Sequence, residues 1–518
     1  MSGGYVSESL SAEIGHIPPA MLPLGNAQLL YHQTKFLRKF VDEVYILFPE
    51  TYSLNAVDKM RIENCGLHIL NVNPNVSIGC ALSLCINNIC LDDYEFYVLY
   101  GDTLFDDMDR FTPDSVSVHQ KWGEYGWAEI ELFQRHEMEI DDNLTLSGLF
   151  SFSDVNELSK CLDQASSDFL EALRIYSESF PFEYNQSGRW YDFGHVQTYF
   201  RSVGLVTTQR SFNELDVTEN TYQKSSFNHK KIKAEAAWFE NIPAHLRVYT
   251  PAFLGLSNLD NRTAYRTQNT FLSTLSNLAV FGDLQPQTWD KIFFACETCL
   301  GHFQKITPEF DLSISSNDYF AKKTNKRLNE FEQSPIGGTL LECARVNDSA
   351  VPSLDEVLSV TSEIINKNID QKQCLIHGDF CFSNIFYDFR SSSIQVIDPR
   401  GELPDGTSSI YGIPEYDLAK LAHSVLGGYD LIISNYMQGR LLPKLIEIDI
   451  SFMNSERWQK VVRSFANSNL YRSQKQEFLY AMVIHLFLSM LPLHSDRPDR
   501  QISIFGSAML FYKKYISP

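Results

Sequence analysis

Apolar and polar positions alternate with two different periods along the first part of the chain. Residues 27–40 and 81–90 place apolar side chains at helical spacing, whereas residues 44–48, 67–72 and 96–100 are short runs rich in β-branched and aromatic residues. Strands and helices that alternate at such short intervals are typical of parallel βαβ units. The pattern therefore predicts an α/β domain at the N-terminus.

A different order of elements begins near residue 210. Residues 211–225 contain two strand-like runs, and residues 230–240 carry charged and apolar side chains at helical spacing. Residues 285–370 and the chain from Tyr416 onward are mainly helical in pattern. Strands followed by helices are typical of an α+β domain.

These patterns divide the chain into two predicted domains, residues 1–210 and residues 211–518. In the second domain, residues 211–280 form a predicted small N-lobe of strands and one helix, and residues 281–518 form a predicted helical C-lobe. The length of 518 residues is sufficient for two independent cores.

Composition and charge exclude several classes of protein. Hydrophobic residues make up 44% of the chain and charged residues 21%, which excludes a disordered or coiled-coil protein. The formal net charge is −21, so we expect no general attraction to nucleic acid or anionic membranes. No apolar run reaches 18 residues, and residues 480–492 predict a buried helix. The N-terminus lacks signal-peptide features, and we expect a cytoplasmic protein without membrane insertion.

The ten cysteines are spread thinly along the chain, unlike a disulfide framework. Cys296 and Cys299 have the internal spacing of a zinc or redox pair. They lie in an apolar run with helical spacing, residues 292–303, and no second ligand pair is nearby in the sequence. We therefore expect two reduced core cysteines.

The strongest chemical signal is a set of polar residues that follow two short apolar strands. Asp379 ends the sequence His-Gly-Asp after the first strand, Asn384 follows five residues later, and Asp398 ends the second strand. Transfer of a γ-phosphoryl group requires a carboxylate that accepts the proton of the attacking hydroxyl, and oxygen ligands for Mg²⁺. The spacing therefore predicts Asp379 as the catalytic base, with Asn384 and Asp398 as metal ligands.

These residues resemble the aminoglycoside phosphotransferase and choline kinase family, whose fold is similar to that of protein kinases. The family carries His-Gly-Asp-x4-Asn and then Ile-Asp, as here at residues 377–384 and 397–398. Gly378 stands where protein kinases carry Arg, and Pro399-Arg400 stands where they carry Phe-Gly. The resemblance implies an ATP- and Mg²⁺-dependent kinase of small hydroxyl compounds, with an α+β protein-kinase-like fold.

The same resemblance implies supporting residues upstream of this motif. In such folds a lysine contacts the α- and β-phosphates of ATP, and a glutamate on the next helix holds that lysine. Lys224 ends a strand-like run and Glu235 lies in the following helix, so this pair is the candidate for ATP binding. Residues 268–275 lie where the hinge between the lobes would run.

Two downstream residues have two interpretations each. Asp417 either anchors the backbone of the catalytic loop, as a matching Asp does in this superfamily, or caps a helix. Arg400 either binds an anionic group of the acceptor, such as a sugar phosphate, or forms a structural ion pair. The sequence leaves both choices open.

Segments of the N-terminal domain resemble sugar-phosphate nucleotidyltransferases in sequence and order. They are the Pro-rich residues 17–31, Gly79 at the start of a helix, Asp102 after a strand, and Asp192 in a Trp-x-Asp-x-Gly-like run. The resemblance implies a Rossmann-like domain in which Asp102 and Asp192 hold Mg²⁺ against the α-phosphate of a nucleotide.

Gly3, Gly4 and Gly79 are the candidate contacts of that nucleotide, which is CTP or another nucleoside triphosphate. Residues 6–12, a predicted loop, lack the Arg of the family, and Pro19 replaces its Lys. Backbone N–H groups near Gly3 remain available to bind phosphate. Two interpretations stay open: a working nucleotidyltransferase, and a nucleotide- or sugar-binding relic.

Together the two resemblances imply a fusion of the kind found in capsule and lipopolysaccharide biosynthesis. The leading hypothesis is an ATP- and Mg²⁺-dependent phosphotransferase that acts on a sugar or small alcohol and is coupled to a nucleotidyltransferase-like domain. One alternative is a bifunctional enzyme that makes a nucleotide-activated sugar or alcohol, and another is a nucleotide-binding scaffold without turnover. The identity of the acceptor and the oligomeric state are left open.

Overall fold

Contacts within the chain divide it into two compact units. The computed structural model describes residues 1–89, 95–123, 125–126, 143–206, 214–217, 220–259, 261–309, 318–368 and 372–517. The N-terminal unit comprises Met1–Val206 with Phe281–Asp283, and the C-terminal unit comprises Thr207–Val280 with Leu284–Pro518. The predicted domain break at residue 210 lies outside the described residues.

The N-terminal unit mixes short helices with short strands. Its helices are α1 (Glu8–Ile14), α2 (Leu29–Leu37), α3 (Ala56–Asn64), α4 (Ile78–Ile89), α5 (Val155–Gln164), α6 (Phe169–Ser179) and α7 (Val196–Leu205). Its strands are β1 (Pro23–Leu24), β2 (Ala27–Gln28), β3 (Val44–Pro49), β4 (Leu67–Val72), β5 (Phe96–Leu99), β6 (Thr103–Asp106), β7 (Ser115–Gln120), β8 (Leu144–Phe152), β9 (Glu183–Asn185) and β10 (Arg189–Asp192).

The predicted parallel βαβ arrangement holds for part of this unit. β3 and β4 pair in parallel and are joined through α3. β5 instead pairs antiparallel with β8, which corrects the expectation for that strand. The reason is that β8 is buried along nearly its whole length and also pairs antiparallel with β7, so it occupies the position beside β5.

The N-terminal segment corrects a second expectation. Residues 6–12 are a predicted loop, but Glu8–Ile14 form α1. The helix forms because Leu10 and Ile14, one turn apart, are both fully buried in the apolar core of the unit. Polar side chains define other helix starts, since Asn55 and Asp154 each accept a hydrogen bond from an N–H of the first turn of α3 and α5.

The antiparallel pair of β6 and β10 positions the polar residues of the N-terminal unit. The register places Thr103 opposite Asp192, so that the start of β6 and the end of β10 are side by side. Asp102 directly precedes β6, and it therefore lies beside Asp192. The backbone N–H of Phe193 donates to the carbonyl oxygen of Asp102 at 2.8 Å and closes this junction.

The C-terminal unit begins with strands and continues mainly with helices. Its helices are α8 (His229–Asn241), α9 (Leu275–Val280), α10 (Pro286–Phe303), α11 (Lys323–Glu332), α12 (Gly337–Leu341), α13 (Leu354–Asn368), α14 (Pro414–Val425), α15 (Tyr429–Ile433), α16 (Glu456–Asn467), α17 (Asn469–Arg472), α18 (Gln476–Met490) and α19 (Pro498–Tyr515). Its strands are β11 (Glu214–Val217), β12 (Thr221–Ser226), β13 (Phe253–Leu259), β14 (Arg262–Gln268), β15 (Ser273–Thr274), β16 (Arg345–Val346), β17 (Ser349–Ala350), β18 (Cys374–Leu375), β19 (Ile385–Asp388), β20 (Ser393–Val396), β21 (Tyr411–Gly412), β22 (Gly439–Leu442) and β23 (Leu445–Ile448).

The first strands of this unit form a four-stranded antiparallel sheet in the order β11-β12-β14-β13. α8 follows β12, and the N–H of Lys231 donates to Asn228 at the start of this helix. The sheet ends at Gln268, and β15 already pairs with β19 of the following part. The structure therefore places β15 and α9 with the helical part, although the expected N-lobe extends to residue 280.

The helical part surrounds α18, which is buried from Phe478 to Ser489. This agrees with the buried helix expected at residues 480–492. Among the described residues, one helical stretch, Gln476–His494, is long and apolar enough to span a membrane by length and composition, and 72% of its apolar window is buried within the protein. α18 is therefore a core helix of this unit.

The region after Tyr416 is less uniformly helical than predicted. β22 and β23 form an antiparallel hairpin, and β23 also pairs in parallel with β16. Lys444 at the turn has a φ of 58°. Each strand has only four residues, and the buried side chains of Ile446 and Ile448 pack against Gly506 of α19, so the hairpin covers this helix.

Candidate functional site

The His-Gly-Asp sequence forms a tight loop between β18 and β19. Asn384 lies in a short 3₁₀ turn, Phe382–Asn384, and is buried. Its side-chain Nδ2 donates to the backbone oxygen of Asp379 at 3.0 Å and to Asp379 Oδ2 at 3.1 Å. The five-residue spacing thus brings these two side chains into direct contact.

The carboxylate of Asp417 accepts two hydrogen bonds from the backbone of this loop, and these bonds decide between the two interpretations of Asp417. Its Oδ2 accepts from the backbone N–H of His377 and its Oδ1 from that of Gly378, both at 2.7 Å. The residue is in the first turn of α14, but Ile413 is the N-cap position and makes no side-chain cap. Asp417 therefore anchors the backbone of the His-Gly-Asp loop, the predicted catalytic loop.

Lys420 is a partner of Asp379 that sequence reasoning missed. It lies one turn after Asp417 on α14, and its Nζ is 2.8 Å from Asp379 Oδ1. Burial raises the pKa of Asp379, but Lys420, His377 and Arg400 together outweigh burial, so that the pKa lies below its usual range. Asp379 is therefore ionised at neutral pH and able to accept a proton.

Lys224 and Glu235 form the pair expected from their spacing. Lys224 Nζ lies 2.8 Å from Glu235 Oε2, and the two side chains are only 4% and 2% exposed. The same Nζ is 3.1 Å from Asp398 Oδ1, and the hydroxyl of Tyr265 donates to this oxygen at 3.1 Å. Burial lowers the pKa of Lys224, but Asp398 and Glu235 outweigh it and raise the pKa to about 12. The lysine is therefore charged and faces the end of β20.

Gly378 and Asp398 both have left-handed backbone conformations, with φ values of 80° and 56°. A Cβ atom at Gly378 would lie 2.7 Å from the Cβ of Arg400. This contact explains why glycine stands at a position where protein kinases carry arginine. The positive φ of Asp398 reverses the chain after β20.

Arg400 does not form the structural ion pair that was one of its two interpretations. Within the described ranges, no carboxylate lies within 4.0 Å of its guanidinium nitrogens. Its Nη1 donates to the hydroxyl oxygen of Tyr416 at 3.3 Å, and its backbone N–H donates to the carbonyl oxygen of His377 at 2.9 Å. Arg400 is thus fixed beside the catalytic loop.

The expected hinge region, residues 268–275, connects the sheet to the helical part. Gln268 is the last residue of β14 and pairs with Thr221 of β12. Ser273 and Thr274 already pair with β19, next to the catalytic loop. Residues 269–272 therefore form the connection between the two parts.

In the N-terminal unit, the carboxylates of Asp102 and Asp192 lie close together, next to Gly194. A Cβ atom at Gly194 would lie 2.7 Å from Asp102 Oδ2 and 3.4 Å from Asp192 Oδ1. Burial, and then Asp102, raise the pKa of Asp192 to about 7. Asp192 Oδ2 is buried and has no hydrogen-bond partner among the described residues. The two carboxylates repel each other, and the N-terminal ammonium group of Met1 partly offsets the charge of Asp102.

Gln33 supports this arrangement, although sequence reasoning did not single it out. It is buried, and its Nε2 donates to the carbonyl oxygens of Tyr100, Gly101 and Thr103 at 3.1, 3.1 and 2.7 Å. These contacts fix the turn that carries Asp102. A glutamine within an amphipathic helix gave no signal for this role.

The predicted nucleotide-binding glycines have different surroundings. A Cβ atom at Gly3 would lie 2.5 Å from Val72 Cγ2, whereas Gly4 has open space around it. A Cβ atom at Gly79 would lie 2.3 Å from the carbonyl oxygen of Ser167, so this glycine permits close packing of α4. The described contacts of Gly79 do not bring it to Asp102 or Asp192.

Cys296 and Cys299 are fully buried free thiols on α10, as expected of core residues. Within the part of the chain that the structure describes, no group of three or more His, Cys, Asp or Glu side chains is arranged to hold a metal ion by itself. A metal ion bound at Asn384 and Asp398, or at Asp102 and Asp192, would therefore need further ligands from a bound nucleotide.

Comparison with known proteins gives similarities of structure. No protein-family model matches the chain, and no curated protein matches it. A thermostable mutant of the aminoglycoside phosphotransferase APH(4)-Ia, in a ternary complex with AMP-PNP and hygromycin B, is 11% identical with a TM-score of 0.40. That match covers 60% of this chain and 94% of the other.

Two further structures are similar over different shares of the chain. ADP-bound aminoglycoside phosphotransferase APH(2'')-Ib is 14% identical, with a TM-score of 0.35, and the match covers 59% of this chain and 90% of that one. HddC from Yersinia pseudotuberculosis is 16% identical, with a TM-score of 0.28, and the match covers 36% of this chain and 89% of that one.

Proposed function

We propose that the C-terminal unit is an ATP- and Mg²⁺-dependent phosphotransferase that acts on a hydroxyl group of a small molecule, a sugar or an alcohol. One observation carries the proposal. Lys224, held by Glu235, lies 3.1 Å from Asp398, so a phosphate-binding cation and a candidate Mg²⁺ ligand from different parts of the fold meet at one point.

The donor atoms present suit Mg²⁺. Asp398 and Asn384 offer carboxylate and amide oxygens, which are hard ligands, and Mg²⁺ on a nucleotide is commonly held by one or two protein ligands together with phosphates. When bound, Mg²⁺ neutralises charge on the β- and γ-phosphates. Lys224 would then exchange its contact with Asp398 for the α- and β-phosphates, while Glu235 keeps it in place.

Asp379 supplies the base in this proposal. The acceptor hydroxyl transfers its proton to Asp379 as its oxygen attacks the γ-phosphorus, and the bond between that phosphorus and ADP breaks. Lys420 keeps Asp379 ionised before the attack, and Asn384 holds its carboxylate through Oδ2. The products are ADP and a phosphomonoester.

Phosphorus NMR of the full-length protein tests this proposal. The protein is incubated with Mg²⁺, ATP and pooled sugars, sugar phosphates and amino alcohols, beside Asp379→Asn and the control Asp405→Asn. Asp405 is an exposed turn residue whose acceptor oxygen an asparagine retains. We expect a new phosphomonoester signal in the wild type and the control, and a loss of about a hundredfold or more in Asp379→Asn. Equal rates in all three proteins would refute the assignment of the base.

We also propose a nucleotide site in the N-terminal unit, with CTP or another nucleoside triphosphate bound through Mg²⁺ at Asp102 and Asp192. The buried carboxylates that meet at Gly194, one of them with an oxygen lacking a hydrogen-bond partner among the described residues, favour this candidate. At this site a phosphate oxygen of the phosphorylated product would attack the α-phosphorus of the nucleoside triphosphate, forming a diphosphodiester and releasing pyrophosphate. Nucleotide-activated sugars of this kind are the units added to surface polysaccharides.

A second arm of the same experiment tests the N-terminal site. CTP or UTP is added, and a diphosphodiester signal is sought in the wild type and in Asp102→Ala. A signal present only in the wild type would support nucleotidyl transfer. Nucleotide binding without this product would support the silent binding alternative, and unchanged binding in Asp102→Ala would remove the site from consideration.

A further inference from the structure

Four basic side chains from three segments lie within electrostatic range of Asp379, and one of them, Arg327, also donates to the carbonyl oxygen of Ser489 at 2.7 Å. α11 contributes two that are one turn apart, α14 contributes one, and the segment after β20 contributes one. We call them the basic cluster, and its members are Lys323, Arg327, Arg400 and Lys420.

The hydroxyl group of Tyr416 connects two members of the basic cluster. Lys323 Nζ donates to this oxygen at 2.5 Å and Arg400 Nη1 donates to it at 3.3 Å. Lys323 also lies 4.9 Å from the centre of the Tyr416 ring. Because Tyr416 and Lys420 are one helical turn apart on α14, this contact lies next to the pair formed by Lys420 and Asp379.

The basic cluster has fewer neighbouring carboxylates than cations. Within the described residues, Asp379 is the carboxylate in ion-pair contact with it, through Lys420. Both oxygens of Asp417 accept from backbone N–H groups, and Glu402 acts on Arg400 only at longer range. Burial, followed by Arg400 and Lys420, lowers the pKa of Lys323 well below its usual value. An anion bound here would offset this repulsion and favour the charged ammonium form of Lys323.

The basic cluster is separate from the cation assigned to the nucleotide. Lys224 comes from β12 and pairs with Glu235 and Asp398, whereas Lys420 comes from α14 and pairs with Asp379. The side chain of Asp379 is 38% exposed, so a ligand reaches the junction from solvent. An anion at the basic cluster would therefore lie beside the base rather than beside the α- and β-phosphates.

We infer that the basic cluster binds an anionic group of the acceptor, a phosphate or a carboxylate, and thereby presents the acceptor hydroxyl to Asp379. The inference rests on the phosphotransferase function proposed above and adds the substrate class, an acceptor that is already phosphorylated or acidic. Two guanidinium groups and two ammonium groups match the oxygen atoms of such a group.

Binding of inorganic phosphate tests the inference without knowledge of the acceptor. The full-length protein is saturated with Mg²⁺ and AMP-PNP, which fills the γ-phosphate position, and phosphate binding is followed by phosphorus NMR line width. The double variant Lys323→Met/Arg400→Gln is compared with the wild type and with Lys326→Met, an exposed lysine on the same helix. Acetate serves as the carboxylate probe in a parallel titration.

We expect phosphate or acetate to bind the wild type and Lys326→Met equally, and to bind the double variant at least about tenfold more weakly. The stronger of the two probes would identify the anion. No binding to the wild type, equal binding to the double variant, or displacement of the anion by AMP-PNP would each overturn the inference.

Kinetics separate this inference from the proposed function. Pairs of neutral and anionic acceptors are compared, glycerol with glycerol 3-phosphate and galactose with galacturonate. We expect transfer only to anionic members, with a KM that rises about tenfold or more in the double variant while the KM for ATP changes less than about twofold. Transfer to neutral members at equal kcat/KM would overturn the inference and leave the phosphotransferase proposal standing. Failure to bind Mg²⁺ and AMP-PNP would refute the proposed function itself.

Discussion

Lys224 of β12 and Asp398, two residues after β20, lie 3.1 Å apart and join the four-stranded sheet of the C-terminal unit to the segment that follows β20. Lys224 also binds Glu235, so one ammonium group contacts two carboxylates in a largely buried place, and a net negative charge remains there. Removing one member of a buried charge pair leaves the other uncompensated, which destabilises a protein more than replacing both.

The first prediction follows from this relationship. Lys224→Met should lower kcat/KM for ATP by about a hundredfold or more, because the α- and β-phosphates lose their cation. It should also lower the unfolding midpoint, since buried Glu235 then keeps only the more distant and exposed Lys231, at 3.8 Å, as a cationic partner. Lys224→Met/Glu235→Gln should regain much of that stability but no activity, as thermal unfolding and initial rates would show.

Lys233 provides the control for this prediction. It lies on the same helix as Glu235 but is exposed, so Lys233→Met should change kcat/KM less than about twofold. A double variant that regains activity together with stability would show that Lys224 has a purely structural role.

The second prediction concerns the anchor of the catalytic loop. Asp417→Ala removes both acceptors of the N–H groups of His377 and Gly378, so the loop should lose its fixed position. We expect kcat to fall by about tenfold to a hundredfold, with the KM for ATP within about threefold. Ser424→Ala removes one neutral acceptor, that of the Phe382 N–H, and should have a smaller effect. Steady-state kinetics of both variants test this prediction. A larger fall in kcat for Ser424→Ala than for Asp417→Ala would contradict the role of Asp417.

The third prediction uses the left-handed conformation of Gly378. Gly378→Ala introduces a Cβ atom 2.7 Å from that of Arg400 at a φ of 80°, which should destabilise the protein by about 1–3 kcal/mol and reduce activity. Gly338→Ala is the matched control, because its Cβ would meet nothing within 4 Å inside α12. This control should be neutral or slightly stabilising in chemical denaturation. Equal stability of the two variants would argue against strain at Gly378.

The fourth prediction is a dependence of stability on pH. His485 on α18 is buried between the hydroxyl groups of Thr361 and Thr324, at 3.0 and 3.1 Å, and burial lowers its pKa to about 4. A histidine whose pKa is lower in the folded than in the unfolded protein contributes stability fully above about pH 6.5. That contribution is lost as the pH falls from 6.5 towards 4, by up to about 1.4 kcal/mol per pH unit.

His485→Gln isolates this contribution from that of other groups. The unfolding midpoint of the wild type should fall more steeply than that of the variant between pH 6.5 and pH 5, when both are measured by thermal unfolding. Parallel midpoints across this range would mean that His485 is not the group responsible.

Much of the candidate site was predictable because its residues are close in sequence. The loop from His377 to Asn384 and the strand before Asp398 are local structures, and Lys224 and Glu235 belong to consecutive elements. α18 was predictable for another reason, since a continuous apolar run can only be buried.

The remaining features depend on contacts between distant parts of the chain. The contact between Lys420 and Asp379 depends on how α14 is rotated about its axis relative to the loop, and the spacing of apolar residues does not determine that rotation. Its one signal was the turn-length spacing from Asp417. The antiparallel partner of β5 and the hairpin of β22 and β23 were missed because short strands are chosen by their neighbours rather than by intrinsic preference.

α14 carries Tyr416, Asp417 and Lys420 on a single rigid element. An insertion or deletion of one residue that shifted the register of this helix would rotate its side chains by about 100° and displace all three together. Under the proposed function, reaction rate and acceptor preference would therefore be coupled through this helix. Substitutions on α11, at Lys323 and Arg327, would change the basic cluster while Asp417 keeps its hydrogen bonds to His377 and Gly378.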